Sequence, residues 1–192
     1  MGSDPIYPIY QGVLLAAGAS RRFGANKLLH PLSGKPVAVH AAESLGRALR
    51  GSIAVIRPDP LLRDLLEGAG LRVIECARAD EGLGVSLAAG IAATPAARGW
   101  VVALADMPWI RGATHARVAQ ALFDGAELAA AAYQGQRGHP VGIGARFRDD
   151  LLALTGDAGA RELIARHADL LRLVECGDPG VLRDIDTRAD LA

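Results

Sequence analysis

The 192-residue sequence predicts an α/β domain with helices on both sides of a mostly parallel sheet that contains one antiparallel strand. Three observations lead there. Short apolar runs alternate with amphipathic stretches of about ten residues, the rhythm of βαβ units. The first apolar run, residues 13–17, breaks at Gly18 into small residues and cations, as a buried parallel strand does when it turns into a ligand loop at the carboxyl edge of an open sheet. Residues 134–142 read as a hairpin-like loop that returns the chain into a strand over 141–144. Together these describe a three-layer α/β/α, Rossmann-like arrangement. Residues 1–10 are expected to be a flexible tail, and residues 11–192 a single domain.

The elements follow in order. Residues 31–36, Pro-Leu-Ser-Gly-Lys-Pro, make a turn, and 37–49 a helix with apolar residues at helical spacing. A second strand covers 52–57. Asp59-Pro60 is an N-cap with proline at the first helical position; it opens a helix over 60–68 whose Leu61, Leu62, Leu65 and Leu66 form one apolar stripe. Residues 71–76 are a third strand. Residues 81–90, Glu-Gly-Leu-Gly-Val-Ser-Leu-Ala-Ala-Gly, are a glycine-broken loop entering a helix with Ser86 in its first turn. Residues 100–105 are a strongly apolar strand ending in Asp106-Met107-Pro108. A helix over 113–123 and an alanine-rich strand over 127–133 precede the hairpin-like loop, in which Arg137 and His139 converge on a turn made flexible by Gly138 and stiffened by Pro140. A helix over 146–154 follows. Residues 155–161 are a second small-residue loop that opens a helix, with Asp157 as its N-cap. Residues 170–176 are a late strand. In the closing segment, alternation puts Asp184 and Asp186 on one side of an extended stretch, and Thr187 with Asp190 makes a capping-box-like turn.

Lys plus Arg and Asp plus Glu both number 21, so the chain lacks the basic excess of a nucleic-acid binder. Its cations act locally, and Arg21, Arg22 and Lys27 are the densest group. Cys76 and Cys176 lie far apart with no Cys-x-x-Cys and no nearby histidine, which excludes a zinc or redox motif by spacing; each ends an apolar run and reads as a buried free thiol of a reducing cytoplasm. No apolar stretch is long enough to cross a membrane. The first ten residues lack the basic and apolar regions of a signal peptide.

The stretch from Gly12 to Leu29 organises the chemistry. Gly18, Ala19 and Ser20 allow close approach of the backbone, and successive N–H groups there suit an anion. The spacing fits neither G-x-x-x-x-G-K-[ST] nor G-x-G-x-x-G, because Lys27 does not follow Gly24 and the second glycine of the dinucleotide fingerprint is absent. A carboxylate at the end of a central strand, Asp106, suits either a divalent cation beside phosphates or the cap of the next helix. Asp186 fits a second metal ligand or the opening of a terminal turn. No G-x-S-x-G elbow, Ser-His-Asp order or cysteine nucleophile is present. These parts suit transfer of a phosphorus group, where positioning and charge neutralisation do most of the work.

The pattern Leu-Ala-Ala-Gly-x-Ser-x-Arg-x-Gly-x-x-Lys over 15–27 resembles the signature loop of the molybdenum cofactor guanylyl- and cytidylyltransferases, members of the MobA-like NTP transferase family. The likeness extends in order through Gly-x-Gly-x-Ser-x-x-x-Gly (82–90), Asp-Met-Pro (106–108), Gly-His-Pro (138–140), Gly-Asp-x-Gly-Ala-Arg (156–161) and Asp-Ile-Asp-Thr (184–187). Two departures stand out: Ala105 replaces the family glycine before Asp106, which brings a methyl near the nucleotide, and Arg188 replaces a proline. The resemblance implies a nucleotidyltransferase fold with Lys27, Arg21 and Asp106 catalytic. Leu15, Ala16, Ala17, Gly18, Ser20, Arg22, Gly84 and Ser86 would bind nucleotide, and Arg137, Gly138, His139, Pro140, Gly159 and Arg161 the acceptor. Asp106 and Asp186 would hold Mg2+. The implied reaction moves CMP from CTP to molybdenum-bound molybdopterin, releasing pyrophosphate; the product would go to a client molybdoenzyme of the xanthine dehydrogenase type, with no nucleic-acid or membrane partner. The choice of CTP rests on Ala17, where the guanylyl branch has glycine, and on Gly-His-Pro. Competing readings are a guanylyl- or other phosphate-acceptor nucleotidyltransferase, an NAD(P)-dependent oxidoreductase related to the family, and a cofactor carrier without catalysis.

Overall fold

The computed structural model describes residues 10–18, 23, 26–157 and 159–191; the expected tail over residues 1–9 lies outside them. In chain order the elements are β1 (Tyr10–Ala16), β2 (Pro31–Leu32), β3 (Lys35–Pro36), α1 (Val37–Ala48), β4 (Ile53–Ile56), α2 (Pro60–Gly68), β5 (Arg72–Glu75), α3 (Leu83–Ala92), β6 (Gly99–Leu104), α4 (Gly112–Phe123), β7 (Leu128–Tyr133), β8 (Gln136–Gly144), α5 (Arg148–Leu152), α6 (Arg161–Arg166) and β9 (Leu171–Glu175). Seven strands form one sheet in the order β5-β4-β1-β6-β8-β7-β9, and β2 and β3 make a separate small hairpin. β8 runs antiparallel to both its neighbours, while the other pairings in the large sheet are parallel.

The sequence explains why β1 is central. Its alternating side chains are apolar on both faces, so it is stable only when covered on both sides. Leu14 and Ala16 enter one core with Ala41 and Leu45 of α1, Leu62 and Leu66 of α2, and Val118 and Leu122 of α4. Val13 and Leu15 enter the other with Leu87 and Ile91 of α3, Leu151 of α5, and Leu163 and Ile164 of α6. The two clusters are the two interfaces of a three-layer α/β/α fold. Asp59 caps α2 as its sequence suggests: its carboxylate accepts from Leu62 N at 3.1 Å, with Pro60 at the first helical position.

Four sequence expectations need correction. Residues 136–140 belong to β8, and only Gln134 and Gly135 make the turn, both at positive φ. Gly138 and Pro140 were turn signals by type, but Gly138 is there for close packing: a Cβ on it would lie 2.0 Å from the Val181 carbonyl oxygen. α6 starts at Arg161 after Ala160, with no side-chain cap, so Asp157 is not its N-cap. The helix expected over 146–154 is a 3-10 turn, Ala145–Phe147, followed by the short α5. Cys76 is buried and free, but Cys176 is only half-buried.

One buried polar group has no obvious use in the core. His115, on α4, is 2% exposed, and its Nδ1 has no hydrogen-bond partner among the described residues. Burial pushes its pKa down to about 4, against the pull of the Asp178 carboxylate. An unfolded histidine takes up its proton near 6.5, so between about 6.5 and about 4 the unfolded chain binds more protons than the folded one. Stability is therefore complete above that window and falls as pH drops through it, by about 3 kcal/mol in total. Urea unfolding at pH 7.5 and pH 4.5 is expected to show this loss in the wild type and a much smaller one in His115→Leu; equal losses would show that His115 is not its source.

Candidate active site

Lys27 begins a 3-10 turn, Lys27–Leu29, that Asn26 caps by accepting from Leu28 N at 3.1 Å. The residue is 8% exposed, and a buried ammonium must be paired. Its Nζ lies 2.7 Å from Asp106 Oδ2 and 3.5 Å from Asp186 Oδ1, and it donates to the Ile185 carbonyl at 2.6 Å. Asp106 stands just past β6, at the carboxyl edge of the sheet beside the end of β1. It does not cap α4, whose N-cap position is Arg111. Asp186 arrives from the other end of the chain, steered by Ile185 N, which donates to the Asp106 carbonyl at 2.9 Å. Asp190 holds the turn that follows, accepting from Asp186 N, Thr187 N and Thr187 Oγ1 at 3.0, 2.6 and 2.9 Å. Asp184 adds to the negative field: burial, then the neighbouring Asp186, raise its pKa.

This arrangement bears on a metal ion. Asp106 and Asp186 offer carboxylate oxygens around one cation, with a carbonyl beside them, the hard oxygen donors that magnesium takes together with substrate phosphates. The donor set fits such an ion held by two carboxylates. Among the described residues no group of three or more His, Cys, Asp or Glu side chains is arranged around a metal position.

Two cavities lie at this edge. The smaller, ≈ 130 Å³, is lined by Leu15, Ala16, Gly18, Lys27, Leu28, Leu83, Leu104 and Asp106. The larger, ≈ 420 Å³, includes Arg137, Gly138, His139, Asp157, Gly159 and Arg161 above an apolar floor of Leu87, Val102, Val141 and Ile164. They share Leu15, Leu83 and Leu104 as a common wall. The fold thus gathers all the expected acceptor residues except Pro140 around one cavity, and joins it to the Lys27–Asp106 pair. Burial lowers the pKa of His139; the Asp106 carboxylate opposes this and Arg137 adds to it, so the ring is neutral at pH 7.

Other expected residues fall elsewhere. Ser20, Arg21 and Arg22 lie outside the described residues. Ala17 is buried with Leu15, Cys76, Ala79 and Val85 and lines neither cavity. Gly84 and Ser86 also line neither: Gly84 N donates to the Gly156 carbonyl at 2.8 Å, and Ser86 is 1% exposed. Gly82 and Gly84 answer a steric demand, because a Cβ would lie 2.3 Å from Gly156 O at position 82 and 2.9 Å from Thr155 O at position 84. The Ala105 methyl, expected to crowd the nucleotide, is buried in the core on the α1 side.

Sequence reasoning missed Asp178. It is 1% exposed, and its carboxylate accepts from Arg111 N (2.9 Å), Thr114 Oγ1 (2.6 Å) and Gly180 N (3.1 Å). It caps the 3-10 turn Pro179–Leu182 and pins the strap that delivers Ile185 and Asp186. The Asp178-Pro179 dipeptide repeats the cap signal of Asp59-Pro60 and was there to be read.

Residues 12–170 match the MobA-like NTP transferase domain. The chain belongs to that family. Among curated proteins this NTP transferase is 32% identical to the nicotine blue oxidoreductase of Paenarthrobacter nicotinovorans, over 96% of this chain and 95% of that one. It is 31% identical to the purine catabolism protein PucB of Bacillus subtilis (strain 168), over 94% and 93%. Among solved structures a nucleotidyl transferase from Methanothermobacter thermautotroptrophicus superposes with a TM-score of 0.81 at 25% identity, covering 95% of this chain and 94% of that one.

Two outcomes are expected. Lys27→Ala loses about a hundredfold in NTP-transfer turnover, the scale of removing one charge-stabilising donor; wild-type turnover would remove Lys27 from the chemistry. Gly138→Ala forces the strap away from β8 and costs about 1–3 kcal/mol in urea unfolding, and an unchanged midpoint would show that the strap yields freely.

Proposed function

We propose that this NTP transferase moves CMP from CTP to the terminal phosphate of molybdenum-bound molybdopterin, with release of pyrophosphate. The observation that supports it most is a pair of unlike cavities that share the wall of Leu15, Leu83 and Leu104, with Lys27 and Asp106 lining the smaller one. The smaller has the backbone and charges for a nucleotide phosphate. The larger has an apolar floor for a flat ring system and cations, Arg137 and Arg161, for an anionic acceptor.

An acceptor phosphate oxygen, already ionised at pH 7, attacks the α-phosphorus of CTP. The new P–O bond forms as the bond to pyrophosphate breaks, and no general base is required. Lys27 donates to the α-phosphate oxygens as charge builds on them, and Arg21 and Arg22 offset charge on the leaving pyrophosphate. Gly18 admits the triphosphate close to the backbone, with Leu15, Ala16, Ala17, Ser20, Gly84 and Ser86 as the remaining nucleotide residues. Neutral His139, with Gly138, Pro140 and Gly159, orients the acceptor. Asp106 and Asp186 would hold Mg2+, which would supply neutralisation of phosphate charge. Preference for CTP rests on likeness of the Arg137–Pro140 segment to the cytidylyl branch; the buried position of Ala17 removes the direct steric argument. PucB, named for purine catabolism, accords with a client of the xanthine dehydrogenase type. Free thiols and the absence of any helix long and apolar enough to cross a membrane, among the described residues, accord with a cytoplasmic location.

One relative favours a second reading: a protein 32% identical is named an oxidoreductase. Against it stands a first loop without the G-x-G-x-x-G fingerprint. A pyrophosphate-release screen of the four NTPs, with and without molybdenum-loaded molybdopterin, separates them. We expect release with CTP and acceptor, at a kcat/KM more than about tenfold above that with GTP, or ~1.4 kcal/mol. Equal use of GTP overturns the base choice. No release from any NTP, with NADPH binding instead, overturns the transferase reading.

A further inference from the structure

Arg57 directly follows β4, and its Nε donates to the Ala17 carbonyl at 2.6 Å. Its guanidinium also pairs with Asp80, in the 3-10 turn Ala79–Glu81 that leads toward α3. Two residues on, the Asp59 carboxylate divides its oxygens. Oδ1 caps α2, and Oδ2 accepts from Asn26 Nδ2 at 3.3 Å. The Asn26 amide oxygen in turn accepts from Leu28 N, which fixes the turn that starts at Lys27. One short turn between β4 and α2 therefore grips residue 17 and residue 26, which flank the small residues and arginines of the signature loop.

We propose that Arg57 and Asp59 are positioning residues for the nucleotide: they form a bracket that sets the separation of the Ala17 end from the Asn26–Lys27 end, and so the register between the backbone at Gly18 and the ammonium of Lys27. This rests on the nucleotide reading above. The physical reason is that the backbone at Gly18 and the ammonium of Lys27, at the two ends of that loop, must meet one triphosphate at a set separation. Fixing the ends of the loop before binding lowers the ordering cost that a triphosphate would otherwise meet. Arg57 meets this need better than lysine does, because one planar fork reaches the Ala17 carbonyl and the Asp80 carboxylate together. Asp59 meets it without losing the helix cap, since each task takes a different oxygen.

The test is binding of CTP with magnesium by titration calorimetry, alongside thermal unfolding, for the wild type, Arg57→Ala, Arg57→Lys and Asp59→Asn. Asparagine caps a helix as well as aspartate, so Asp59→Asn keeps α2 while presenting a donor to the Asn26 amide. We expect Kd to rise about tenfold in Arg57→Ala and about threefold in Asp59→Asn, the scale of one exposed hydrogen bond. Arg57→Lys should fall between Arg57→Ala and the wild type, and melting points should stay within about 4 °C. Wild-type affinity in Arg57→Lys would show that charge alone matters, and unchanged affinity in Asp59→Asn would show that the Asn26 end is not held; either result overturns the bracket. If Arg57→Ala does not fold, the other two variants decide. A wild type that binds none of the four NTPs overturns the nucleotide reading and this inference with it, which distinguishes that failure from a wild type that binds while the variants bind equally.

Discussion

A single buried ammonium sets the terms for the edge of this sheet. Lys27 is 8% exposed and is met by Asp106 from the end of β6 and by Asp186 from a segment 159 residues away in sequence. An ion pair taken out of water returns little net stability, because desolvation offsets most of the attraction. Removing one partner alone leaves an uncompensated charge. The group is thus a poor device for holding a fold together and a good one for presenting fixed charge to a phosphate, since its dipoles and charges are already oriented when the substrate arrives.

The rest of the edge is built to bring those partners in. Asp106 needs only the end of a central strand, but Asp186 must be delivered, and the delivery is a series of close backbone contacts. Asp178 anchors the start of the strap on the first turn of α4. Gly180 then passes the Trp109 carbonyl, where a Cβ would lie 2.5 Å from the oxygen, and Val181 passes Gly138 at comparable range. Val181 and Ile185 are fully buried, so the strap is clamped by apolar burial between its polar anchors. The order of the sheet makes this possible: antiparallel β8 stands beside β6 and brings Gly138 and His139 to the same edge as Asp106.

The fold was legible because alternation and helical spacing are local signals. β1 is apolar on both faces, α2 announces itself by Asp59-Pro60, and strand–helix alternation leaves few parallel topologies open. Lys27 and Asp106 could be singled out as candidates because few residue types suit a phosphate at the end of a strand, and the fold brings the two side chains together. What the sequence hid were reasons that depend on a distant partner. Gly138 looked like part of a turn, and only the Val181 carbonyl shows it to be a strand residue that must lack a side chain. Gly82 and Gly84 looked like a ligand loop, yet they are also required by the chain at residues 155–157. Asp157 looked like a cap because small residues and an aspartate precede a helix, but the helix begins four residues later and the cavity claims the position.

The same distinction bears on where specificity resides. Two alanines depart from the guanylyl branch or from the family pattern, and both invite the idea of a methyl against a base. Their side chains lie on opposite sides of the sheet, Ala17 with α3 and Ala105 with α1. Their neighbours Leu15, Ala16, Gly18, Leu104 and Asp106, by contrast, line the smaller cavity. Each methyl lies in a core, that of Ala17 on the α3 side and that of Ala105 on the α1 side, so it can reach a ligand only through a shift in the position of the adjoining backbone. Because interiors are close-packed, such shifts are discrete rather than graded. On the reading proposed above, discrimination between bases turns on how β1 is wedged between its two cores, and on which hydrogen-bonding groups the wedge leaves facing the cavity.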